Sequence, residues 1–456
     1  LQAAYDTFLK NYPDPARVRT AIATAKSLES SAAEGAALGY YATGSKATYL
    51  AAINAVETDL NTIVATRQPN ATEVSNFLAR LDAATAAFNS SLNMPTNGIY
   101  TIVSASSNAS NTGRKVYAKS SSRENSLYMG GLKQVGTTSN YTTDPDFASN
   151  LAQFWEVTKQ DTGYVVKNVF NGLYLAPVKG KRVVSLSETP YVLPIQFAKV
   201  TGLFHLVIGK EYASADNIYM NAEPASWVLT TWNAASGRDN SAFEFVAVDR
   251  ATVNDMLTNG FSYELQSNNK PQFITLPIDA RAEGGFYTVI GQKQDDMSIQ
   301  LKATTELKAG QGYVYIPDAN STSWIVTLGG AVSSISDLNP THTALPAVNG
   351  LQGVFENTEL PVASGLFSRD RSKILLSEPK EKVGANTGYF SKLAPTTETG
   401  DAQLQAGGIV TSIGQVVLQG SKAAQGIYNL QGIRFNSTKQ LPAGVYVIDG
   451  KKVVVK

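Results

Sequence analysis

Along the first 92 residues apolar side chains recur every three or four positions. Leu50, Ile53, Val56, Leu60 and Val64 share one stripe, and Val74, Phe77, Leu78, Leu81 and Phe88 share another. That period predicts amphipathic helices packed as a small bundle. Helix starts are signalled by Asp14 before Pro15, by Ser45 after Gly44, and by Asn70 with Glu73 three residues later as a capping box. An earlier amphipathic stretch, Leu1, Tyr5, Phe8 and Leu9, is expected to dock on the bundle or to continue an upstream helix. From Asn97 the period becomes two, in "GIYTIV", "YVVKNV" and "FHLVIG", which predicts short strands. The β pattern continues from about Phe261 to Pro395 through "GFYTVIGQ", "SWIVTLGG" and "KILLSEPKEKVGANTGYF".

Within the first β region, "NSLYMGG", "NGLYLAP" and "NIYMNAE" place Tyr128, Tyr174 and Tyr219 at steps of 46 (174 − 128) and 45 (219 − 174) residues. A second aromatic cue, Trp155, Phe197 and Phe245, recurs at 42 (197 − 155) and 48 (245 − 197). Two cues in one phase imply a threefold repeat of short strands. Three four-stranded units over about 150 residues predict a β-trefoil, with an ordinary sandwich and chance similarity as the alternative. The Tyr-Leu/Met steps are then expected at inward positions of equivalent strands, the pair straddling the sheet and packing near the pseudo-threefold axis. The arrangement is similar to the ricin-type lectin trefoil, whose Gln-x-Trp is matched once, by Gln153-Phe154-Trp155. Sugar-binding repeats of that family usually carry an Asp shortly after the hydrophobic pair. This chain has Gly130, Ala176 and Asn221 there.

Three further resemblances concern the flanks. The stretch "GYYATGSKATYLAAINAVETDL" with "NATEVSNFLARLDAATAAF" resembles the FIVAR helical module of bacterial surface proteins. Residues 261–395 look like the β-sandwich domains of Bacteroidetes surface proteins, and "LKAGQGYVYI" with "VGANTGYFSKL" indicates two related hairpin ends. The end of the chain resembles the sorting domain of type IX secretion cargo through Tyr428, Gly432, Leu441, Pro442, Gly444, Val445 and Tyr446. There Pro442 and Gly444 predict a turn between two strands, while Lys451, Lys452 and Lys456 guard the last strand against edge pairing. A plain terminal hairpin is the alternative. The expected architecture is multidomain and mainly β: a helical bundle over 1–95, a β-trefoil over 96–250, a β-sandwich over 251–410 and a small C-terminal β segment over 411–456.

Composition narrows the function. Lys+Arg number 38 against 37 Asp+Glu, a net charge of +1 that leaves no electrostatic footprint for nucleic acid or anionic membrane. Only 16% of residues are charged, so the surface is rich in neutral polar groups, as in secreted proteins that meet neutral polar ligands. The absence of cysteine removes disulfides, thiolate nucleophiles and Cys-ligated zinc. No run approaches a membrane span of roughly 18 apolar residues. Leu1 enters a helical pattern without a charged leader, which reads as a mature protein or an excised region.

Catalytic signals are sparse, and neither a cofactor, a metal nor a catalytic residue is assigned. His205 lies in an alternating strand and reads as structural, and His342 reads as a loop residue. No G-x-S-x-G or H-E-x-x-H occurs. In "GYYATGSKAT", Ser45 stands where a phosphate loop needs Lys, so a helix start is preferred. The pairs Asp144/Asp146 and Asp295/Asp296 read as exposed turns. Sugar sites combine an aromatic face with Asn, Asp or Gln side chains. Tyr141, Tyr191 and Trp232 follow the repeat tyrosines by 13, 17 and 13 residues, and Trp232 is accompanied by Asn233, Asp239 and Asn240. These six are the candidate glycan-binding residues, set against the plainer reading that the aromatics merely cap the barrel. The expected function is a non-catalytic carbohydrate-binding or adhesion region of an exported bacterial protein, secreted or at the cell surface. Its expected partners are glycans and, through the C-terminal segment, secretion machinery. A glycoside hydrolase with a hidden carboxylate pair and a set of spacer modules are the alternatives.

Overall fold

The computed structural model describes residues 14–121, 131–139, 147–178, 180–208, 218–223, 228–233, 239–265, 270–318, 325–368 and 370–405, and strand residues 427–429, 434–435, 444–448 and 451–455. Three helices open the chain: α1 (Ala16–Ser31), α2 (Ser45–Val64) and α3 (Ala71–Ser90). Their starts are those signalled locally. The Ala16 N–H donates to the Asp14 carboxylate at 2.8 Å. Asn70 and Glu73 exchange side-chain and backbone hydrogen bonds as a full capping box. Gly44 has no capping side chain, and Glu34 substitutes by accepting from the Lys46 N–H at 2.8 Å, a carboxylate at the positive end of the helix dipole. Leu50 and Val64 turn out half-buried, and Tyr49 completes the inward face, stacked on Phe88 at 4.5 Å.

Twelve strand positions follow in three sets of four. The first set is β1 (Gly98–Ser104), β2 (Lys115–Ser121), β3 (Gly131–Thr138) and β4 (Phe154–Gln160). The second is β5 (Gly163–Asn168), β6 (Tyr174–Pro177), β7 (Val184–Ser187) and a strand broken by Pro194 into β8 (Val192–Leu193) and β9 (Ile195–Phe197). The third is β10 (Phe204–Leu206), β11 (Tyr219–Ala222), β12 (Leu229–Trp232) and β13 (Phe243–Val248). Fourth strands pair with the next set's first strands, β4 with β5, β9 with β10 and β13 with β1, so the barrel closes. Within sets β1 pairs β4, β5 pairs β8 and β10 pairs β13. Second and third strands form hairpins β2–β3, β6–β7 and β11–β12, which meet at Gln134–Ser185 and Val183–Thr230. This pairing scheme is a β-trefoil.

The pairing also moves the repeat's phase. Tyr100, Tyr164 and Phe204 are register equivalents, facing Trp155, Leu193 and Phe243. All six are nearly inaccessible to solvent, so the barrel contains an aromatic-rich layer. Trp155 thus matches Phe243, whereas Phe245 faces Ile102 one layer on and Phe197 packs outward against the helical bundle. The hairpins open on Lys115, Tyr174 and Tyr219, so Lys115 holds the first set's tyrosine position. Tyr128 lies outside the described residues. Tyr174 and Tyr219 are half-buried while the next residue, Leu175 or Met220, with Val116 as counterpart, is sealed in the core, so each pair straddles the sheet and its second member is the inward one. The cause is the two-residue side-chain alternation of a strand.

The bundle docks on the trefoil through Tyr41, edge-on to Phe197 at 6.2 Å. Gly39, with φ +73°, is required here, since a Cβ would fall 2.5 Å from the Gly202 backbone nitrogen. On the other side a helix missing from the strand pattern, α4 (Arg250–Asn259), is capped by Asp249. Phe170 of the trefoil meets Phe261 at 6.4 Å and Tyr263 at 6.3 Å, and one continuous core runs across this boundary. His342 is a loop residue, and its Nε2 donates to the Asn171 carbonyl at 2.7 Å.

The following β region contains two related units. The first comprises β14 (Phe261–Glu264), β15 (Gln272–Thr275), β16 (Ala280–Arg281), β17 (Phe286–Gln292), β18 (Ile299–Ala303), β19 (Glu306–Leu307), β20 (Gly312–Tyr315) and β21 (Ile325–Gly330). The second comprises β22 (Leu351–Val354), β23 (Thr358–Glu359), β24 (Gly365–Phe367), β25 (Ile374–Leu376), β26 (Lys382–Val383), β27 (Thr387–Phe390) and β28 (Ala402–Leu404). The pairings β15–β20, β16–β19, β17–β18 and β17–β20 recur as β22–β27, β23–β26, β24–β25 and β24–β27. The two "related hairpin ends" are therefore equivalent segments of a duplicated unit, β19–β20 and β26–β27, whose strands pair with earlier strands of their own unit and not with each other. Phe273, Val314, Leu351 and Phe390 from the two units share one core, as in a sandwich. Strands β29 (Ile427–Asn429), β30 (Arg434–Phe435), β31 (Gly444–Ile448) and β32 (Lys451–Val455) form a separate antiparallel sheet in which Tyr446 faces Val453. Gly432, Leu441, Pro442 and Lys456 lie outside the described residues.

Candidate functional site

The outward face of the β11–β12 hairpin carries Tyr219, Asn221, Thr230 and Trp232, because alternate positions sink Met220, Ala222, Leu229 and Thr231 into the core. Trp232 is 48% exposed, unusual for an indole at a strand's regular position. It borders a cavity of about 360 Å³, lined also by Asn221, Thr230, Asn240, Glu223 and Arg182. That size is within the range of small-molecule sites. Asn221 Nδ2 donates to Ser241 Oγ at 2.9 Å, which leaves its Oδ1 as an acceptor for the cavity. Asn240 is oriented the other way. Its Oδ1 accepts from Ser106 Oγ at 2.6 Å and Asn111 Nδ2 at 3.3 Å, which leaves Nδ2 as a donor. Asn111, fully buried, also donates to the Ala222 carbonyl at 2.7 Å, so the first repeat props the floor of the third repeat's site.

Asp239 lies behind this wall. Its Oδ1 accepts from the Ser241 N–H at 2.8 Å, and His205 Nε2 is 4.0 Å from the same oxygen. Burial holds the His205 pKa below its ordinary value, partly offset by the Asp239 charge, so the ring is neutral at neutral pH. Tyr219 covers the ring at 5.2 Å. Asp239 therefore supports the loop instead of facing the cavity.

Of the six candidates, Trp232 and Asn240 come together at the cavity. Asn233 is exposed at the strand end and does not line it. Tyr191 is half-buried against the trefoil core. Tyr141 lies outside the described residues. Sequence reasoning missed Arg182, Thr230 and the role of Asn221. The signal for Asn221 was its place two residues after Tyr219 on the same strand face; nothing local connects Arg182 to Trp232. A larger groove of about 720 Å³ lies between α2 and α3, but the arginine and acids on its walls are paired, Arg80 with Asp59 at 2.7 Å and Glu73 with Arg67 at 2.6 Å. Asp296 sits in an exposed turn, and no cluster of three or more metal-ligating side chains occurs among the described residues.

No family model matches the chain, and no curated protein does. Several solved structures are similar to part of it. The Macrolepiota procera ricin B-like lectin in complex with lactose has 13% identity and TM-score 0.24, covering 34% of this chain and 99% of the lectin. A Polyporus squamosus lectin bound to a sialylated influenza-binding epitope has 14% identity and TM-score 0.24, covering 36% of this chain and 54% of that one. An endo-β-galactosidase from Clostridium perfringens has 17% identity and TM-score 0.25, covering 33% of each chain. No helix among the described residues is long and apolar enough to cross a membrane.

Proposed function

We propose that the chain is a non-catalytic carbohydrate-binding or adhesion region of an exported bacterial protein, in which the third trefoil repeat holds the sugar. The observation that carries this reading is the half-exposed Trp232 beside a cavity that offers Asn221 Oδ1 as acceptor and Asn240 Nδ2 as donor. An indole face packs on the C–H surface of a pyranose, and a matched acceptor and donor serve its hydroxyls. Stacking beyond area burial contributes about 0.5–1.5 kcal/mol and each hydrogen bond about 1 kcal/mol net, so one such site is weak and works through avidity. Export to the surface or medium rests on the resemblance of the Tyr428–Lys456 run to sorting segments, with secretion machinery as partner. The flanking helical and duplicated β modules fit an accessory region of a glycan-degrading enzyme. For the hydrolase alternative a carboxyl held protonated is needed. The carboxyl shifts resolved at Glu73, Asp296 and Asp370 all go down, each driven first by hydrogen bonds from neighbouring side chains.

The test is a glycan array probed with multivalently displayed protein. Wild type is expected to give discrete signals that Trp232→Ala removes. Absence of any signal, or signals unchanged in the variant, would leave a spacer role as the better account.

A further inference from the structure

We infer that the sugar recognised at Trp232 carries an anionic group, a carboxylate or a sulfate, and that Arg182 is the residue that selects it. This rests on the carbohydrate reading of the cavity. Arg182 belongs to the second repeat, in the turn between β6 and β7 that is closed by a hydrogen bond from the Val178 N–H to the Val183 carbonyl and contains Gly180 with φ +69°. The bridge between Val183 and Thr230 brings that turn against β12 and sets the Arg182 guanidinium 4.1 Å from the Trp232 ring centroid. The side chain lines the cavity and is otherwise exposed. Among the described residues its side chain forms no ion pair and no hydrogen bond, and its guanidinium meets the Trp232 indole.

That geometry holds a charge without spending its donors. A cation–π contact uses the charge of the guanidinium and none of its hydrogen-bond donors, so its N–H groups remain available in a fork that matches the oxygens of a carboxylate or sulfate. A neutral sugar would need only the asparagine acceptor and donor; for it an uncompensated cation at the cavity is no gain. Glu223 is the acidic member of the lining, and no ion pair joins it to Arg182. A bidentate arginine contact is short, strong and directional, which makes it a determinant of specificity as well as of affinity.

The experiment compares a hexose, the matching hexuronate and the matching hexose sulfate on one multivalent carrier, binding to wild type, Arg182→Gln and Trp232→Ala. Wild type should bind at least one anionic form about tenfold more tightly than the hexose, and the hexuronate and sulfate arms tell which anion is meant. Arg182→Gln should bring the ratio of anionic to hexose binding down to about one, whatever its effect on hexose binding itself, and 1 M salt should lower the same ratio in wild type. Equal binding of all three ligands by wild type, or a preference that survives Arg182→Gln, overturns the inference; loss of hexose binding in Trp232→Ala would then still uphold the site. Failure of wild type to bind any of the three overturns both.

Discussion

The hairpins β6–β7 and β11–β12 occupy equivalent places in the trefoil, and their cores agree while their surfaces do not. Leu175 and Leu186 in one correspond to Met220 and Thr231 in the other, all buried. Outward, Tyr174 faces Ser187 whereas Tyr219 faces Trp232, and Ala176 stands where the third repeat has Asn221. The inward positions keep the barrel closed and tolerate only apolar or small side chains. The outward positions are released from that demand, so a binding face can develop in one repeat without disturbing the others.

The shared core should respond alike in both hairpins. Leu175→Ala and Met220→Ala are each expected to cost about 2–5 kcal/mol in denaturant unfolding; a loss below about 1 kcal/mol at either position would mean that its repeat does not share the core. The next effect separates the repeats. Asn111→Ala removes the prop beneath the third hairpin only, at about 1–3 kcal/mol, and should weaken ligand binding at Trp232 as well. Unaltered binding would detach Asn111 from the site.

A smaller difference concerns pH. Because the folded His205 pKa is depressed, its contribution to stability is complete above the unfolded histidine range and is lost as pH falls through that range towards the folded value. Thermal melts between pH 7.5 and 5 should show acid destabilisation that His205→Gln reduces; identical slopes for both proteins would refute the assignment. The smallest effect is expected from Ser187→Trp, which places an indole opposite Tyr174. Stability should change by about 0.5 kcal/mol or less, and no glycan binding should appear, since Ala176 supplies no acceptor. Binding gained by this variant would show that the indole alone suffices.

Local features of the fold were legible because their causes are local. Ser45 and Asn70 start helices where the chain places a glycine turn or a capping box, and the change from a period of three to four to a period of two marks the start of the β region. The threefold order was legible too, but its phase was not. Whether Lys115 or Tyr128 opens the first hairpin is decided by which strands close the barrel, a non-local pairing that no spacing reveals. The helix α4 carries its own signals, Asp249 and Gly260, yet is too short to impose a clear period. At the site, Trp232 and Asn240 stood out as an aromatic with a polar neighbour. Arg182 did not, because 50 residues (232 − 182) separate it from the ring it covers and only the Val183–Thr230 bridge joins them.

The chain has four tryptophans, Trp155, Trp227, Trp232 and Trp324, and their indole N–H signals give a direct test of the third-repeat site. The signals, assigned by single substitution, should be followed by nitrogen-15 NMR during titration with a saccharide selected on the array. The Trp232 signal is predicted to shift and saturate with ligand while that of Trp155, buried and donating to the Val116 carbonyl at 3.0 Å, stays in place. Saturable binding that leaves the Trp232 signal unmoved would contradict the account.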